Sequence, residues 1–104
     1  MPEVMFSVPT SLGFSVRTTR EYWTLILRKH PEVAGKEDEV RRCLQDPEQV
    51  RRSKQDRAVY LFYRALVPYH LVVVVRRLNG DGFIITSYIT DKVKEGEPIW
   101  PTSA

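Results

Sequence analysis

The sequence predicts an α+β domain, with an N-terminal hairpin and two helices packed on an antiparallel sheet of about four strands. Three observations predict it. Apolar residues recur at helical spacing in two stretches, around residues 18–30 and 37–45. Three later stretches within residues 59–90 are rich in β-branched and aromatic side chains. Turn residues separate those three, which makes an antiparallel meander the economical arrangement.

The first stretch reads as a hairpin. Val4 to Val8 and Phe14 to Arg17 are the arms, and Pro9-Thr10-Ser11-Leu12-Gly13 is the turn. Thr18 followed by Glu21 forms a capping box, which predicts a helix starting there. Trp23, Ile26, Leu27 and His30 then fall on one helical face, and Pro31 disfavours helical geometry at His30, so the helix ends at the histidine. A second helix is expected from about Glu37 to Gln45, with Val40, Cys43 and Leu44 as its apolar stripe and Asp46-Pro47 as its breaker. Pro47 to Val50 is expected to start a further short helical turn, capped by Asp46. Residues 53–57 are polar and read as a loop. Val59–Ala65, Leu71–Arg77 and Phe83–Thr90 are the predicted strands, and Ile99 and Trp100 in the tail are expected to add a short edge contact.

A chain of 104 residues fits one domain over 1–104, and 42% hydrophobic residues can bury a modest core. No apolar run approaches the roughly 18–20 residues a membrane span needs, and the start of the chain lacks the pattern of a signal peptide, so a cytoplasmic protein with no membrane partner is expected. The single cysteine, Cys43, excludes an internal disulfide and offers no metal-ligand cluster. Scattered glycines exclude a phosphate-cradling loop, and there is no Gly-x-Ser-x-Gly elbow. Sixteen basic and thirteen acidic residues give a net charge of +3. Residues 41–57 hold six of the basic ones and three of the acidic ones, so the whole excess sits there. Such a stretch suits a polyanion, or else a solvated helix face of mixed charge.

His30 stands at the carbonyl end of its helix, a position that favours the protonated imidazole, and it shares the stripe of Trp23 and Ile26. That placement suits a general acid or base; it also suits a histidine that caps the last carbonyls and packs. Thr86, Tyr88 and Thr90 alternate along one strand and share a polar, uncharged face, fit for phosphate, ribose or a stacked base, or for an ordinary exposed sheet surface. Arg64 lies in an apolar strand and needs either phosphate or a structural ion pair. Arg52 and Lys54 fall in the positive stretch. His70, opening a strand after a turn, reads as a surface residue.

Taken in order, Trp23-Thr24-Leu25-Ile26-Leu27-Arg28-Lys29-His30-Pro31-Glu32, then Leu44-Gln45-Asp46-Pro47, then Ile84-Ile85-Thr86-Ser87-Tyr88 resemble the phage-type branch of the Barnase–EndoU–Colicin–RelE nucleases. The likeness runs from about Phe6 to Trp100, and Ser87 stands where that pattern has a small residue such as alanine. The resemblance implies two helices on a four-stranded antiparallel sheet, with the active site on the sheet surface. It implies a metal-independent endoribonuclease without cofactor, in which the ribose 2′-hydroxyl attacks its own phosphate. His30, with Tyr88, would do the acid–base work, Thr86 would orient phosphate or ribose, and Arg52, Lys54 and Arg64 would supply positive charge. The implied partners are RNA and, for a toxin, an antitoxin or other protein. The alternative is a non-catalytic module on the same fold, binding RNA or a protein through residues 41–57 or through a sheet edge.

Overall fold

Runs rich in β-branched and aromatic side chains, separated by short turns, make residues 59–90 a three-stranded antiparallel meander, and the rest of the chain extends it on both sides. The computed structural model describes residues 3–93 and 96–101. Its strands are β1 (Val4–Pro9), β2 (Ser15–Thr19), β3 (Gln49–Arg52), β4 (Val59–Leu66), β5 (Tyr69–Leu78), β6 (Asp81–Thr90) and β7 (Glu97–Trp100). The helices are α1 (Arg20–Lys29) and α2 (Glu37–Gln45), with a 3-10 turn at Pro31–Val33 between them. No helix among the described residues is long and apolar enough to cross a membrane.

The α+β class and the central meander agree with the sequence reading, whereas the sheet is larger than expected. It has seven strands in the order β1-β2-β6-β5-β4-β3-β7, and it is mixed. The N-terminal hairpin joins it through a short parallel pairing of β2 with β6, at Val16 with Gly82 and Arg17 with Phe83. Gly82 permits that approach, because a Cβ there would lie 2.9 Å from Val75 Cγ1 and 3.1 Å from Phe14 Cε2. At the other side, the expected helical turn after Pro47 is instead β3. Strand pairing with β4 and β7 on its two sides satisfies backbone groups that a single helical turn would leave unpaired. The tail contact of Ile99 and Trp100 is thus a paired strand, β7, beginning at Glu97; Glu95 lies outside the described residues.

The helices cover one face. Phe62, Leu71, Val73, Val75 and Ile84 of the sheet pack there against Trp23 and Ile26 of α1 and Val40, Cys43 and Leu44 of α2. The opposite face carries a smaller cluster of Leu61, Tyr63 and Val72, on which Val74, Tyr88 and Val93 pack. The cap of α1 is one residue later than expected. Thr19 Oγ1 accepts from the backbone N–H of Tyr22 at 3.1 Å, because Thr18 is held in β2 opposite Phe6 and is buried. The second helix matches its predicted bounds, and three acidic residues in its first turn suit the positive end of the helix dipole.

Candidate active site at the open edge of the sheet

Beyond Arg17 strand β2 no longer pairs with β6, and after Thr19 the chain turns into α1, so among the described residues no strand pairs with the second half of β6 on that side. Helix α1 borders this open edge, and Tyr22 Oη donates to the carbonyl of Ile85 at 2.8 Å. Ile85 is also the extra residue of a bulge, since Val74 pairs with Thr86 but Val75 pairs with Ile84. The bulge lets Ile84 enter the helix-side core while Thr86 faces the other way. Ser87 returns to the helix side, buried, its hydroxyl donating to the Val72 carbonyl at 2.7 Å. Thr86, Tyr88 and Thr90 therefore share the face opposite the helices, as their alternation predicted.

The last turn of α1 delivers His30 to this edge. Its backbone N–H bonds the Ile26 carbonyl at 2.8 Å, and Pro31 then starts the 3-10 turn. The imidazole ring lies 5.7 Å from the Tyr88 ring, centroid to centroid, at 38°. Its Nδ1 is 3.3 Å from Glu32 Oε2, and the side chain keeps 32% of its surface. A carboxylate on Nδ1 fixes the ring and leaves Nε2 for proton transfer. A groove of about 650 Å³ runs alongside, lined by Tyr22, Arg28, Lys29, His30, Ile85 and Thr86 among others.

Three of the six sequence-predicted site residues, His30, Tyr88 and Thr86, thus meet. The three cations do not join them. Arg64 is on the helix side of β4, where it donates to the Asp46 carbonyl at the end of α2 and pairs with the Asp46 carboxylate at 3.4 Å. Arg52 also points to the helix side, near the far end of the sheet; its Nε donates to the Arg57 carbonyl at 2.7 Å and it lies over the Tyr60 ring. Lys54 is exposed in the adjoining loop. The positive charge at the groove comes instead from Arg28 and Lys29; two cations in the last turn of a helix are ordinary, so nothing in the local sequence marks them.

His70, expected at the surface, is half-buried. It pairs with Thr90 across β5 and β6, placing it on the same face as Tyr88 and diagonal to it. Its Nδ1 is buried without a hydrogen-bond partner among the described residues. Only strand register reveals this neighbour, since the two residues are far apart in the chain.

Among the described residues, the Cys43 thiol and the Asp56 carboxyl depart from their ordinary pKa values. Burial pushes the Cys43 thiol far up, against the weaker pull of Arg64, so it is an inert core residue. The Ala58 backbone N–H, followed by the Arg76 guanidinium, holds the Asp56 carboxyl below its usual range. Among the described residues no three of His, Cys, Asp and Glu are grouped so as to hold a metal ion. Comparison with known proteins gives no match to any family model, curated protein or solved structure.

Proposed function

We propose that this chain is a metal-independent endoribonuclease that cuts RNA by attack of the ribose 2′-hydroxyl. The observation that carries the reading is the meeting of His30, held by Glu32, with Tyr88, beside the groove that Thr86 lines. The resemblance of the His30-Pro31-Glu32 and Thr86-Ser87-Tyr88 segments to the Barnase–EndoU–Colicin–RelE nucleases supports the same reading. His30 takes the 2′-hydroxyl proton at Nε2 as that oxygen bonds to phosphorus. The bond from phosphorus to the 5′-oxygen then breaks, and that oxygen takes a proton from the Tyr88 phenol. Thr86 hydrogen-bonds the phosphate or ribose, and Arg28 and Lys29 oppose the charge gathering on the phosphorane. On this reading the protein works on RNA in the cytoplasm, and as a toxin it would be held by an antitoxin.

A second reading, a non-catalytic RNA-binding module, draws on the separation of Arg52 and Lys54 from His30. The two are told apart with an oligoribonucleotide and its fully 2′-O-methylated copy. The expected result is cleavage of the first to 2′,3′-cyclic phosphate and 5′-hydroxyl ends, with the methylated copy intact. Equal cleavage of both would overturn the 2′-hydroxyl mechanism, and binding without cleavage of either would favour the module.

A further inference from the structure

We infer that Arg52, Arg57 and Arg77 form a phosphate-binding pocket at the far end of the sheet, separate from the His30 edge. The pocket has a volume of about 400 Å³ and is lined by these three arginines together with Tyr60, Asn79 and the backbone of the Asn79-Gly80 turn. The turn is a tight two-residue hairpin loop with both residues at positive φ, 51° and 92°. It brings Arg77, near the end of β5, alongside Arg52 of β3 and the loop that carries Arg57.

Two of the guanidiniums are held in place before any ligand arrives. Arg52 donates from Nε to the Arg57 carbonyl at 2.7 Å and from its terminal nitrogen to Tyr60 Oη at 3.2 Å, with the guanidinium 5.2 Å from the Tyr60 ring centre. Arg77 lies over the Phe14 ring at 4.4 Å, and that ring in turn tilts against Tyr60 at 5.5 Å. An aromatic platform that fixes a guanidinium leaves its remaining N–H groups directed outward, in a planar fork that matches phosphate oxygens.

Among the described residues no carboxylate neutralises them. Among the described residues none of the three arginines has an ion pair within 4 Å, although six such pairs occur elsewhere. The nearby acids are engaged: Asp56 with Arg76, and Asp81 with Arg17 at 3.6 Å. Glu97 stands opposite Arg52 in the β3–β7 register but makes no such pair with it. Like charges collected without a counter-charge repel one another, so the arrangement suits an anion that several of them can share. The ligand chemistry is a phosphate group, supplied either by an RNA backbone or by free phosphate. The pocket does not depend on the cleavage chemistry proposed for His30.

The test uses the full chain, a labelled 12-nucleotide oligoribonucleotide and inorganic phosphate as probes, with binding read across a salt series. Arg57→Ala and Arg77→Gln remove two of the cations without touching the strand hydrogen bonds of Arg52, and Arg42→Ala is the charge-matched control on the exposed side of α2. Circular dichroism checks that each variant is folded. The expected result is that each pocket variant weakens oligoribonucleotide binding about three- to tenfold and lowers the salt slope by about 0.7–1, while the control does neither. Inorganic phosphate binding that is lost in the variants, with oligoribonucleotide binding unchanged, would keep the phosphate site but assign it to free phosphate. Equal weakening by Arg42→Ala, or no change in either probe, would overturn the inference.

Discussion

The two ends of β6 hold different kinds of chemistry. At the Thr90 end are groups that can move a proton: His30 with its carboxylate partner, the Tyr88 phenol, the Thr86 hydroxyl and the diagonal His70. At the Asp81 end are guanidiniums that stay charged at any ordinary pH, fixed on Tyr60 and Phe14. Asp81 and Tyr88 are seven residues apart, about 23 Å along an extended strand, and Thr86 and Tyr88 face away from the helices whereas Arg52 and Arg77 lie on the helix side. A patch of basic residues in a sequence thus need not lie beside the candidate acid or base in the fold. Permanent cations suit holding a polyanion, and titratable groups suit the bond-breaking step.

Tyr88→Phe should separate the two ends most clearly. It keeps the ring against His30 and removes the proton, so the cleavage rate should fall about a hundredfold. RNA affinity, measured by anisotropy at the same salt, should barely change. A loss of affinity with no loss of rate at saturating RNA would reverse the assignment of the two ends. Arg64→Ala sits at neither end. It removes the hydrogen bond to the closing carbonyl of α2, so the urea midpoint should fall by an amount worth about 1 kcal/mol with an unchanged slope. Cleavage and RNA affinity should stay as they are.

The smallest effect concerns Asp56, whose loop separates β3 from β4 beside the arginine pocket. Its folded pKa is depressed, so its contribution to stability is present above the ordinary aspartate pKa, near 3.9, and is lost as pH falls through the lower folded value. In Asp56→Asn that part of the acid sensitivity should vanish, seen as a shallower fall of the melting temperature below about pH 4. An identical fall in both proteins would mean that the contact with the Ala58 N–H and Arg76 contributes nothing to folding.

How far the sequence could be read follows from the range of the interactions involved. Helix α2 and the β4–β6 meander rest on local spacing and turn residues, and both were legible. The stripe Trp23, Ile26, His30 was legible too, and it correctly turns the histidine inward. Strand β3 was not, because Asp46-Pro47 is a good local start for a helical turn and Gln49–Arg52 is short and polar. Its strand state comes from β4 and β7, which lie far along the chain. Missing that strand hid the direction of Arg52, since a side chain's face is set by strand parity. The parallel pairing of β2 with β6, which leaves the rest of β6 open to α1, likewise depends on contacts distant in sequence. His70 and Tyr88 are neighbours only through register.

The central claim is that His30 performs the proton transfer of RNA cleavage. The most direct test is cleavage of labelled RNA in EDTA by the purified protein, beside His30→Ala at matched concentration. The account predicts cyclic-phosphate ends from the wild-type chain and a fall of about 10²–10⁴-fold in the variant, with RNA affinity retained. Cleavage at an undiminished rate by His30→Ala would contradict it.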